Sequence, residues 1–108
     1  MSLYPKRGEV YLAKLDKRRP VIILSVDSLN KYSLDVCVVP ITTREHRSFS
    51  MRVLLRAGEA GLDRDCWAKC DQVATLEKES LKYPALGLLP SVKLAHIEEQ
   101  VKISLGLL

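Results

Sequence analysis

The 108-residue sequence predicts an α+β domain in which a curved antiparallel sheet is closed by one C-terminal helix. Three observations carry this expectation. Short β-rich runs follow one another along most of the chain, the first two are joined too tightly for a crossover, and one segment with helical spacing comes last.

Gly8 to Leu15 (GEVYLAKL) is rich in β-formers, and Pro20 to Val26 (PVIILSV) is a nearly unbroken apolar run with many β-branched residues, so both read as strands. Only the polar residues Asp16 to Arg19 separate them, which pairs the two as an antiparallel hairpin. The second run is too uniformly apolar to be half exposed. It belongs at the centre of the sheet, covered on both sides, with Pro20 at its start, where a missing N–H costs least.

Asp27 to Asn30 reads as a turn or helical turn, and Leu34 to Thr42 (LDVCVVPIT) as the third strand. Thr43 to Ser50 is a polar, basic surface loop, and Met51 to Arg56 is a half-buried strand whose Arg52 and Arg56 form a basic outer edge. After a connecting loop, Gly58 to Asp65, comes the strand Cys66 to Leu76 (CWAKCDQVATL). Its alternation sends Cys66, Ala68 and Cys70 to the core and Trp67, Lys69 and Asp71 to the opposite face. That second face is poor core material and a plausible RNA surface. The final helix has Ser91 as N-cap and Leu94, Ile97, Val101 and Leu105 on its apolar side. Lys93, His96, Glu99 and Lys102 lie on the other side, and Gly106 marks the stop.

The length suits one domain, residues 1–108, and the absence of any apolar run near the ~20 residues of a membrane span argues against a membrane protein. The N-terminus has no apolar targeting region, and three cysteines, an odd count, argue against a disulfide scaffold, so a cytoplasmic setting is expected. Cys66 and Cys70 are spaced wrongly for a zinc knuckle and only His46 and His96 could join them, so no metal is expected and the thiols read as buried apolar groups. The net charge of +4 is uneven: residues 1–56 carry eleven Lys and Arg against five Asp and Glu, residues 57–108 six against eight. A basic half suits a polyanion such as nucleic acid, and equally a solubilising face.

Several segments, in order, resemble the MazF/PemK/Kid family of toxins: R-G-E-V-Y at Arg7 to Tyr11, R-P-V-I-I-L-S at Arg19 to Ser25 followed by Asp27 and Asn30, and V-P-I-T at Val39 to Thr42. C-D-Q at Cys70 to Gln72, T-L-E-K at Thr75 to Lys78 and a closing helix ending in L-G-L complete the set. The resemblance implies an SH3-like barrel. It also implies a homodimeric, metal-independent and cofactor-free endoribonuclease that cuts single-stranded messenger RNA and is neutralised by a cognate antitoxin. The 2'-hydroxyl would attack the adjacent phosphate, which requires a base, an acid and donors for the growing phosphoryl charge.

By the same resemblance, Arg19 and Thr42 match the family's active-site arginine and threonine, and Lys69 and Asp71 match a catalytic pair that reads Arg-Cys-Asp in some members, with the arginine assigned as acid and the aspartate as base. A guanidinium fits two phosphate oxygens at once; lysine at position 69 keeps the charge without that fork. The family's longer loop before the R-P arginine, with its Gly-Ser-Glu step, is missing between Leu15 and Arg19. Lys17, Arg18, Arg44, His46, Arg47, Trp67 and Gln72 are the expected RNA contacts. His46 is also a candidate acid–base group, and Trp67 suits either a stacked base or a dimer interface. Two rival functions stay open at this point: a gyrase-poisoning toxin of the CcdB type, and a noncatalytic RNA-binding module.

Overall fold

The computed structural model describes residues 4–14, 17–44 and 51–107. Its elements are β1 (Glu9–Lys14), β2 (Arg18–Ile23), α1 (Asp27–Tyr32), β3 (Asp35–Thr42), β4 (Arg52–Leu55), β5 (Cys66–Lys69), β6 (Ala74–Glu77), β7 (Leu81–Leu88) and α2 (Ser91–Leu105). Short 3-10 turns occupy Glu59–Gly61 and Lys78–Ser80. One antiparallel sheet runs in the order β4-β5-β3-β2-β1-β7, with β6 also paired to β3, and α2 follows it, which is the α+β arrangement expected.

The hairpin forms as the spacing requires, from Val10 opposite Ile22 to Lys14 opposite Arg18. Strand β2 starts earlier than the apolar run does. Arg18 and Arg19 are therefore strand residues, and Arg19 lies opposite Ala13 instead of in the turn. Pro20 is the third residue of the strand, just outside the stretch Val21–Ile23 that pairs with β3. Val21, Ile22 and Ile23 are each 0% exposed, as a central strand demands. The run ends at Ile23, because the next residues turn into α1, a longer helical segment than the turn expected there. Asn30 on that helix is fully buried: its Nδ2 donates to the Ser25 carbonyl at 2.8 Å, and its side-chain oxygen accepts from the Ser25 hydroxyl. The same hydroxyl oxygen accepts the Cys37 N–H at 3.0 Å, so α1 is pinned to β3.

The segment read as one strand from Cys66 to Leu76 is two. β5 pairs with Ile41 and Thr42 and β6 with Asp35 to Val38, so the ladder skips Val39 and Pro40, where proline has no N–H to offer. A turn closed by the Gln72 N–H donating to the Lys69 carbonyl at 3.0 Å carries the chain between them. Strand β7 has no clear sequence signal, since Pro84 and Gly87 interrupt it. It is tolerated as an edge strand paired to β1 with a register shift.

Helix α2 buries Ile97 and Val101, and Gly106 ends it, with the Leu107 N–H donating to Lys102 and the Gly106 N–H to Ile103. Pro90, not Ser91, stands at the N-cap position, and no side chain caps it. Leu105 is 57% exposed, because the core has ended by that turn. Lys93 is drawn inward instead of facing solvent, its ammonium donating to the Leu54 carbonyl at 2.9 Å.

Buried side chains divide between the two faces of the sheet. Val10, Ile22, Val39, Ile41, Val53 and Ala68 pack under α2, whereas Tyr11, Val21, Ile23, Val36 and Val38 form a second cluster on the reverse. A Cβ at Gly61 would lie 2.1 Å from the Leu86 carbonyl oxygen, so the first 3-10 turn nests backbone to backbone against β7.

Candidate active site

Register decides which side chains can meet. Thr42 is opposite Trp67, and Lys69 is opposite Arg52, while Ile41, Ala68 and Val53 align one position away. Directly opposed residues in an antiparallel ladder share a face. Ile41, Ala68 and Val53 therefore enter the core, and Thr42, Trp67, Lys69 and Arg52 stand on the other side. Val21 opposite Pro40 carries the same face onto β2, where Arg19 lies two residues before Val21.

These strands border a cleft of about 830 Å³ lined by Lys17, Arg18, Arg19, Thr42, Arg44, Arg52, Arg64, Lys69 and Gln72, with Leu12, Leu62 and Leu86 among its apolar members. Arg19, Thr42 and Lys69 are thus brought together from three different strands. Of the expected RNA contacts, Lys17, Arg18, Arg44 and Gln72 join them. Trp67 is half-buried and Asp71 exposed, and neither is on the lining. His46 and Arg47 lie outside the described residues.

A family model for the PemK-like, MazF-like toxin of type II toxin-antitoxin systems matches residues 6–105. The chain belongs to the PemK/MazF toxin family. It is 30% identical over 115 residues to endoribonuclease MazF9 of Mycobacterium tuberculosis, covering 94% of this chain and 97% of that one. It is 35% identical over 111 residues to endoribonuclease MazF of Staphylococcus saprophyticus, covering 94% and 92%. Among solved structures, Mycobacterium tuberculosis toxin MazF-mt6 superposes with a TM-score of 0.81 at 28% identity over 92% of this chain and 97% of that one. A mycobacterial endoribonuclease in complex with its cognate antitoxin superposes with 0.83 at 28% identity, covering 96% and 97%.

In this PemK/MazF chain the cleft is electrostatically one-sided: seven cations line it against a single carboxylate, Asp63, which is 3.6 Å from Arg64. Burial lowers the pKa of Lys69, the charges of Arg52 and Arg19 lower it further, and Asp71 opposes them. Arg52 Nη1 is buried with no hydrogen-bond partner among the described residues. A buried donor left without an acceptor costs free energy that an acceptor would offset. Thr42 Oγ1 accepts the Arg44 N–H at 3.1 Å, which fixes the hydroxyl and leaves its hydrogen to donate outward. Cys70, behind this face, has its thiol pushed up to about 12, by burial first and by Asp71 second, and so stays protonated and inert. Among the described residues no cluster of His, Cys, Asp or Glu could hold a metal ion.

Arg52 and Arg64 are absent from the sequence-derived contacts. The alternation of β4 does mark Arg52 as outward and basic, but only the register with Lys69 separates it from Arg56, which sits 3.8 Å from Asp65 outside the lining.

Proposed function

We propose that this MazF-type endoribonuclease cuts single-stranded messenger RNA in the cleft between β2, β3 and β5, without a metal or other cofactor. The observation that supports the reading most directly is the convergence of Arg19, Thr42 and Lys69, from three strands, on one cationic cleft. In the proposed reaction the 2'-oxygen attacks the adjacent phosphorus as its proton passes through water to Asp71, which stands outside the lining but close enough for its charge to act on Lys69. The bond to the 5'-oxygen breaks, and Lys69, whose hold on its proton is weakened, supplies the proton that the leaving oxygen needs. Arg19 presents two donors to the non-bridging oxygens, and the Thr42 hydroxyl donates a third hydrogen bond as charge builds on them. Products are a 2',3'-cyclic phosphate and a 5'-hydroxyl.

The wider reading is a toxin that acts in the cytoplasm, as a homodimer, and is neutralised by its own antitoxin, whose acidic segment suits the basic cleft. The sheet then curls into the SH3-like barrel of the family, its β4 and β7 sides linked through the 3-10 turn at Glu59–Gly61 that packs on β7.

Incubation with a long single-stranded RNA in excess EDTA tests the chemistry. Cyclic-phosphate and 5'-hydroxyl ends, with a loss of about 10²–10³-fold in rate for Arg19→Ala at unchanged fold, support it. RNA binding without cleavage points to a noncatalytic module, and arrest of gyrase to a CcdB-like action.

A further inference from the structure

The β4–β5 ladder carries two cations, and among the described residues no carboxylate pairs with either. Arg52 and Lys69 are direct cross-strand partners on the face that bears Thr42, and both line the cleft. Like charges placed opposite each other weaken a sheet. Arg52 adds a second cost, because its Nη1 is buried without an acceptor among the described residues, whereas buried donors are ordinarily satisfied. The described carboxylates nearby offset these charges only in part: Asp63 is beside Arg64, and Asp71, exposed in the turn beyond the ladder, acts on Lys69 and forms no ion pair with Arg52. A phosphodiester supplies what is missing, since its two non-bridging oxygens match a guanidinium fork with an ammonium beside it.

We propose that Arg52, on the β4–β5 ladder beside Lys69, forms a second phosphate subsite, holding a phosphodiester next to the one at which Arg19, Thr42 and Lys69 act. The proposal rests on the RNA reading of the cleft and adds a binding residue to it. It accounts for an arginine at a position that alternation would otherwise leave to any outward residue.

The test separates binding from cutting. A single-stranded RNA made non-cleavable by 2'-O-methyl riboses is titrated by fluorescence anisotropy against the wild type, Arg52→Gln, Arg52→Lys and, as a control outside the lining, Arg56→Gln. Arg52→Gln weakens binding about tenfold or more, as loss of hydrogen bonds to a charged group implies, and does so whatever the base sequence. Its salt slope becomes shallower by about 0.7, the share of one single-strand phosphate. Arg52→Lys keeps the slope and recovers part of the affinity, and Arg56→Gln binds as the wild type does. In Arg52→Gln the Lys69 pKa, followed by NMR, rises. Without RNA, Arg52→Gln melts no lower than the wild type, because it removes an unsatisfied buried donor.

Unchanged affinity in Arg52→Gln overturns the subsite. So does a loss confined to RNAs with one particular base, which makes Arg52 a base reader. A lowered melting temperature in both Arg52 variants without RNA overturns it too, by making the arginine structural. A wild type that binds this RNA but leaves cleavable RNA intact defeats the nuclease reading and leaves the subsite standing.

Discussion

Salt is the perturbation that tests the cleft as a whole. Of its seven lining cations, Arg64 is partnered by Asp63, leaving six, of which Arg19, Arg52 and Lys69 are the ones assigned to phosphates. Each single-strand phosphate neutralised contributes about −0.7 to the slope of log affinity against log salt, so two to six phosphates give a slope of about −1.4 to −4. Raising salt from about 50 to about 200 mM then weakens binding by about 7-fold to about 300-fold. Anisotropy titrations of a non-cleavable single strand, repeated at four or five salt concentrations, measure the slope directly. A slope shallower than about −1 would mean that these guanidinium and ammonium groups do not hold the RNA backbone, and the assignment of this cleft would fall.

Three further outcomes follow from the geometry. Asn30→Ala removes a buried side chain that bonds Ser25 twice, and should cost about 2–4 kcal/mol, a melting temperature lower by several degrees; an unchanged melting curve would show the pair to be dispensable. Lys69 holds its proton less tightly in the folded chain than in the unfolded one, so stability rises with pH between its lowered value and that of an ordinary lysine. Lys69→Gln should therefore raise the melting temperature of RNA-free protein at neutral pH, and the gain should shrink as pH approaches the ordinary lysine range; a pH-independent difference contradicts this. Gly61→Ala, at φ +76° with a carbonyl oxygen 2.1 Å from the new Cβ, should lose more than about 1 kcal/mol in urea denaturation, and an unshifted midpoint would show that the turn does not seat on β7 as described.

The hairpin, the central β2 and the core side of β5 were legible because one-letter patterns report them: a short polar link, an unbroken apolar run, and small residues at every second position. The break between β5 and β6 was not, since its cause sits elsewhere, in Pro40 on the strand they both flank. Strand β7 hid behind its own Pro84, which an edge position tolerates, and Gly87, where a Cβ would meet the Ala60 backbone. In the site, Arg19 and Thr42 came from motif resemblance, and periodicity put Lys69 on the right face. Arg52 needed the cross-strand register, a property of two segments that neither contains alone. Lys93 shows the reverse error, a charged residue assigned to solvent whose ammonium instead meets the Leu54 carbonyl.

The alternation of β3 and β5 makes the hydrophobic interior and the cationic cleft two sides of a single backbone. On the proposed reading, a methyl group gained or lost at Ala68 or Ile41 would shift the neighbours Lys69 and Thr42 with it, and interior drift would be answered by changed turnover. The same reading would leave a change of target to the bordering stretches around Lys17, Arg44 and Arg64, where side chains can be exchanged while the strands keep their spacing.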